Sequence, residues 1–213
     1  MAQNKEDDAV AKSMTPSEIS SITAGQIGKF QELLGAALRK SDLPSAPVQE
    51  VLERQGDSLA AEVVGAIRTR VEAIFTLILR RVKVNRAQSP EEALKATGRN
   101  IYSDGDVVVS MPKGESDKAE VFFFNLGRFV SDEELEKEYE KRGLKAADPY
   151  SLSAVNEDDP AFADSHPNGT HWKNENGKWC YAAFRRWVGG REVRVHRRVI
   201  VWYDFWWFAG LRK

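Results

Sequence analysis

The chain has 213 residues, of which 42% are hydrophobic and 30% charged, with a formal net charge of −1. That length suits one sizeable domain or two small ones. The longest apolar stretches are far too short to span a bilayer, a single cysteine, Cys180, excludes an intramolecular disulfide framework, and the acidic, polar start has no segment resembling a secretory signal, so a cytoplasmic protein without membrane association is expected.

Residues 1–14 read as a disordered leader. A capping signature follows at Thr15-Pro16-Ser17-Glu18, and Ile19, Ile22, Phe30, Leu33, Leu34, Ala37 and Leu38 form a rough helical stripe behind it. A short helix is expected over Pro47–Gln55, stopped by Gly56. A longer one, capped by Asp57 or Ser58, is expected to run to about Arg81. In it Val64, Ile67, Val71, Ile74 and Ile78 recur three and four residues apart, a heptad seam. That seam predicts packing against the first helix in a bundle, or self-association into a homo-oligomer. The helical region is taken as 15–86.

Residues 87–213 read as a mixed α+β domain. Ser89-Pro90-Glu91-Glu92 is a capping box opening a short helix, "DVVVSM" and "AEVFFF" read as strands, and Ser131 with Glu134 caps a third helix. A further short helix covers Tyr150–Asn156. The charge is unevenly placed: Ser131–Ser165 holds 11 acidic against 4 basic residues, and His166–Lys213 holds 10 basic against 3 acidic. Such a split marks either a basic binding surface or an acidic segment folded onto a basic one.

All six tryptophans lie in the basic segment, where Asn176-Gly177 and Gly189-Gly190 suit two-residue hairpin turns. Two such turns produce an antiparallel β-meander in which Trp172 faces Tyr181 and Arg185 faces Arg194. Alternation then puts Cys180, Ala182, Phe184, Val193, Val195 and Val199 on a core face, with His171 and Lys173 toward its edge. The opposite face carries Trp172, Trp179, Tyr181, Arg185, Trp187, Arg194, His196 and Arg198. Aromatics supply stacking surfaces for bases and guanidiniums neutralise phosphates, so single-stranded nucleic acid is the expected ligand. Arg185 opposite Arg194 implies an anion or carboxylate between them. An aromatic face is more often covered than free, and the acidic helix from Asp132 to Arg142 and the tail "WYDFWWF" are the segments that would cover it. Six aromatics in the seven residues Trp202–Phe208 cannot alternate with polar residues, so the tail is expected to be a plug buried on both sides.

Asp164, His166, His171, Cys180 and His196 have metal-binding chemistry but none of the usual ligand spacings, so no metal and no cofactor is expected. Cys180 and His196 fall on opposite faces in this register and cannot act as nucleophile and base. Asp158, Asp159 and Asp164 read as solvated turn residues. The stretch "DPYSLSAVNEDDPAFADSHPNGTHWKNENGKWCYAAF", with "WWFAGLRK", "SPEEALKATGR" and "SDEELEKEYEKRGL", resembles bacterial hypothetical proteins over more than the last half of the chain. That resemblance implies no activity and no cofactor. The residues point to a non-enzymatic binding or adaptor protein. The alternative is a structural or assembly protein, cellular or viral, whose contacts are all with protein.

Overall fold

The computed structural model describes residues 21–74, 77–197 and 201–213. The chain divides into two compact units, Met1–Phe75 and Thr76–Lys213. The first holds α1 (Ala24–Arg39) and α2 (Ser45–Ile74). Thr23 and Gln26 form the capping box that opens α1; the leader and the cap expected at Thr15 lie outside the described residues. Helix α2 runs unbroken through Gly56, where a break between two helices was the expectation. One interior glycine costs about 1 kcal/mol relative to alanine, too little to end a 30-residue helix.

Helix α2 ends at Ile74, short of the expected Arg81. Leu77–Lys83 is instead strand β1, laddered antiparallel to β3 (Lys118–Asn125), with Ile78 opposite Phe123. The seam pattern breaks here because "LILRRVK" also alternates, and the long-range ladder outweighs a local helical period. Ile78 is therefore a core residue of the second unit, not the end of a helical seam.

The other elements of the second unit are α3 (Pro90–Ala96), β2 (Asn100–Ser103), α4 (Gly105–Val109), α5 (Asp132–Lys141), β4 (Leu144–Ala146), α6 (Pro149–Asp158), α7 (Phe162–Ser165), β5 (Asn168–Lys173), β6 (Trp179–Trp187), β7 (Gly190–Arg197) and β8 (Trp207–Arg212). Ser89 with Glu92 and Ser131 with Glu134 make reciprocal capping boxes. "DVVVSM" is the one-turn helix α4 rather than a strand: Val107 and Val108 turn into the core while Val109 faces solvent, so packing overrides β-branched propensity.

The sheet is mixed, in the order β1-β3-β8-β5-β6-β7-β2, with β4 beside β8. Strands β5, β6 and β7 are antiparallel neighbours. The chain then crosses back so that β8 lies between β3 and β5, parallel to β5. One sheet face carries Val121, Phe123, Trp172, Cys180, Ala182, Phe184, Val193, Val195 and Ala209 and packs with buried residues of α3, α4, α6 and α7 into the main core. The other carries Phe122, under the Arg212 guanidinium, and Phe124 and Phe208, Phe124 packing tilted against Phe208 and edge-on against Tyr139 of α5. No helix of the described residues is long and apolar enough to cross a membrane.

Candidate functional site

The two hairpins decide which side chains share a face. Between β5 and β6 the turn is Glu175-Asn176-Gly177, three residues rather than two. Asn174 N–H donates to the Lys178 carbonyl (3.0 Å), Gly177 N–H donates to the Asn174 carbonyl (2.8 Å), and Gly177 sits at φ 69°. This is a turn closed by a left-handed glycine bulge. The Asn174 side-chain oxygen adds bonds from the Asn176 and Lys178 amides. The extra residue slips the register by one, so Trp172 pairs with Cys180 and His171 with Tyr181. A slip of one sends a side chain to the other face. Trp172 is accordingly buried in the main core, its indole N–H 3.3 Å from Ser110 Oγ, and it leaves the expected ligand-binding set.

The second hairpin slips by two, which preserves the faces. Trp187 pairs with Gly190 and Arg185 with Glu192, so Val188 and Gly189 form the turn. Arg185 and Arg194 are not directly opposed. Glu192 Oε1 lies between them, accepting from Arg185 Nε at 2.6 Å and Arg194 Nε at 2.9 Å. Burial raises the Glu192 carboxyl, but the two guanidiniums outweigh it and hold the group below its ordinary value.

His171 takes the place of Trp172 on the second face. Its ring is fully buried between two carboxylates of α5, Nδ1 2.8 Å from Asp132 and Nε2 2.7 Å from Glu136, and stacks on Trp179 with centroids 4.5 Å apart. Burial alone would depress its pKa, yet the paired carboxylates raise it above 6.5, so both ring nitrogens donate. Trp179 donates its indole N–H to Glu133 (2.7 Å), and Trp202 donates to the same Asp132 oxygen that holds His171 (2.9 Å). The acidic helix thus covers one end of the face, through His171, Trp179 and Trp202. Its remaining carboxylates, Glu134, Glu138 and Glu140, pair with Arg128, Lys141, Arg142 and Lys213, not with the arginines of β6 and β7.

The other end stays open. A groove of about 540 Å³ is lined by Tyr181, Arg185, Trp187, Arg194 and Arg197 from the hairpin and by Val201, Trp202, Tyr203, Phe205 and Trp206 from the tail. Trp187, Tyr203 and Phe205 keep 57%, 47% and 44% of their surface exposed, against 7% for Trp172. Arg185 lies over the Trp187 ring at 4.4 Å, and Arg194 is 5.4 Å from the centre of Tyr102. Arg197 pairs with Asp106. Arg198, also expected here, lies outside the described residues.

The tail is a plug only in part. Trp202, Trp206 and Phe208 are buried, while Tyr203 and Phe205 stand in solvent with near-parallel rings. Trp206 N–H bonds back to the Tyr203 carbonyl, and Asn125 holds the Asp204 and Trp206 carbonyls. Asp204, the single polar residue in the aromatic run, was the available signal for this turn.

Asp164 pairs with Arg191 and Arg186, His196 with Asp104, and Cys180 is buried in the main core; among the described residues no three acidic, histidine or cysteine side chains gather to hold a metal ion. Comparisons with protein-family models, with curated proteins and with solved structures returned no match.

Proposed function

We propose that the second unit binds single-stranded nucleic acid in the open aromatic groove. The observation that carries this reading is one groove in which three exposed rings, Trp187, Tyr203 and Phe205, stand beside Arg185, Arg194 and Arg197. An exposed aromatic face offers a base roughly 1–3 kcal/mol of stacking without regard to sequence. Arginines beside it neutralise the backbone and can themselves stack. The groove volume lies within the range of small-molecule pockets, enough to seat a splayed-out base with its sugar, whereas bases stacked inside a duplex cannot reach the rings. Neither protein catalysis nor a cofactor enters this reading.

Fluorescence anisotropy with labelled oligo-dT, oligo-rU and a duplex tests it. The expected result is a preference for the single strands, with log affinity falling linearly as log salt rises, by about 0.7 per phosphate neutralised. An absence of binding at low salt, or an affinity untouched by Trp187→Ala and Phe205→Ala, overturns it.

The first unit favours a second reading, assembly through the helices. Helix α1 has no buried residue, and Ile27, Phe30, Leu34 and Leu38 on it are exposed, as are Val64 and Val71 on α2. Ile67 is partly buried, and the side chain of Ile74 lies outside the described residues. Isolated helices of this length gain little stability by themselves, and covering the apolar side chains with a second copy would supply it. Sedimentation velocity that reports a monomer, with Val64→Asp and Val71→Asp changing nothing, rejects the assembly reading and leaves the groove untouched.

A further inference from the structure

A second and larger concavity lies at the end of the sheet where the parallel strands β5 and β8 part. The two strands pair only at Asn168–Trp207 and Gly169–Phe208; beyond that β4 takes the place beside β8. Thr170 Oγ1 donates to the Ala147 carbonyl at 2.5 Å, and the Ala147 amide donates to the Ala209 carbonyl, fixing the fork. The resulting crevice, about 1130 Å³, lies between the carboxyl ends of β5 and β8. In open sheets with parallel strands, the crevice beyond the carboxyl ends of diverging strands is the favoured place for a ligand.

The crevice walls carry charge of both signs, but the two signs are not equally satisfied. Asp148 is held by Arg86, Glu120 by Arg81 and Arg212, Glu136 by His171, Glu140 by Lys213, and Glu133 by the Trp179 indole. Five lysines, Lys113, Lys118, Lys137, Lys145 and Lys173, have no carboxylate within 4.0 Å among the described residues. Lys113 reaches the Gln88 carbonyl at 3.5 Å and lies 5.4 Å from the centre of the Tyr150 ring, and Lys173 lies over the Trp179 ring at 4.6 Å. Lys173 is near enough to Glu133 and Glu136 to help lower their carboxyls, yet forms an ion pair with neither. Glu115 and Glu133 are the lining carboxylates with no cation within the same distance, and Glu133 has the Trp179 indole N–H instead. Five ammoniums without an ion-pair partner, against two such carboxylates, leave the concavity with an excess of positive charge, and ammoniums recognise phosphate as point charges without demanding one geometry.

We propose that this crevice binds a compact phosphorylated small molecule carrying two or more phosphate groups. Its apolar floor, Ala119, Ala146, Ala147 and Leu211, leaves room beside the lysines for the rest of such a ligand. A nucleic-acid strand fits the crevice less well than it fits the open groove. Trp172 is buried and Trp179 already contacts the His171 ring and the Lys173 ammonium, so the crevice presents no free stacking platform.

The test is isothermal titration of the full chain with sodium tripolyphosphate, at low and at physiological salt, beside inorganic phosphate. The expected result is saturable one-to-one binding of tripolyphosphate, tighter than phosphate, weakened about tenfold by each of Lys145→Glu, Lys173→Glu and Lys137→Glu, since each reverses one exposed charge near the anion. Arg194→Ala, in the aromatic groove, leaves that affinity unchanged while weakening oligonucleotide binding. Absence of tripolyphosphate binding at low salt, or indifference to all three lysine variants with unchanged unfolding midpoints, overturns the proposal. So does a loss on Arg194→Ala, which would place the anion in the aromatic groove. Failure here leaves the oligonucleotide result standing, because the two sites share no lining residue.

Discussion

The two ends of one sheet face differ in what became of their aromatic and cationic side chains. At the β5 end, His171, Trp179 and Trp202 are each hydrogen-bonded by the first half of α5, through Asp132, Glu133 and Glu136. At the β6–β7 end the counter-charge comes from Glu192 of β7 and from Asp106 of the short helix α4, and among the described residues no helical side chain lines the groove. The difference teaches that a helix closes an aromatic face by satisfying its N–H donors. Trp179, Trp202 and His171 all carry ring N–H groups that are costly to bury unpaired, and α5 supplies acceptors at the matching positions. Tyr203 and Phe205 lie beyond its reach and stay in water.

Breaking the closed end has the largest expected effect. His171→Ala leaves the buried Asp132 and the half-exposed Glu136 without their cation, and a buried pair such as His171–Asp132 broken on one side costs about 3–5 kcal/mol. Denaturant unfolding should show that loss, and a change below about 1 kcal/mol would mean the closed end is not held by this pair. Gly169→Ala comes next. A Cβ there would lie 2.9 Å from two ring carbons of Trp202 and 3.3 Å from the Ala182 carbonyl, in a fully buried layer. Overpacking of this kind costs about 1–3 kcal/mol. Because Trp202 also lines the open groove, oligonucleotide affinity should change along with the unfolding midpoint.

At the open end the same size of change should appear in binding and not in stability. Trp187→Ala should cost about 1–3 kcal/mol of single-strand affinity while moving stability by less than about 0.5 kcal/mol. The reverse pattern would assign Trp187 to the fold and erase the contrast between the ends.

The pH dependence sharpens the contrast further. His171 is held above its ordinary 6.5, so its contribution to stability is complete below 6.5 and is lost as pH rises through the higher folded value. Glu136, pulled down chiefly by its hydrogen bond to His171, contributes above its ordinary 4.5 and loses that contribution as pH falls through the lower folded value. Thermal unfolding should therefore show this pair at its strongest between about 4.5 and 6.5, with Glu136→Gln flattening the profile on both sides. A profile in Glu136→Gln that matches the parent chain removes His171 as the source. The smallest effect is at Arg194. Its truncation should lower the salt slope of oligonucleotide binding by about 0.7, the share of one phosphate.

Much of this was legible from local chemistry. The capping boxes at Ser89 and Ser131 mark α3 and α5 because each is satisfied within four residues. The apolar face of Cys180, Ala182, Phe184, Val193 and Val195 follows from alternation alone and tolerates a register slip of two. Trp172 was not placed correctly, because Asn176-Gly177 serves a two-residue or a three-residue turn equally well, and that choice decides which face a strand's side chains occupy. Residues 77–83 carry both a helical and an alternating period, and α4 has the composition of a strand.

By itself, then, the sequence determined the short-range elements, the mixed α+β class and the concentration of aromatic and basic side chains in the last 48 residues. Only the tertiary structure decided that β8 returns between β3 and β5, that α5 closes one end of a face and leaves the other open, and that β4 forks the sheet. Caps and alternation depend on neighbours a few residues away, which the chain order supplies. Strand order, face coverage and the fork depend on which distant segments bury each other's surface and satisfy each other's donors, as His171 and Asp132 do across 39 positions of sequence.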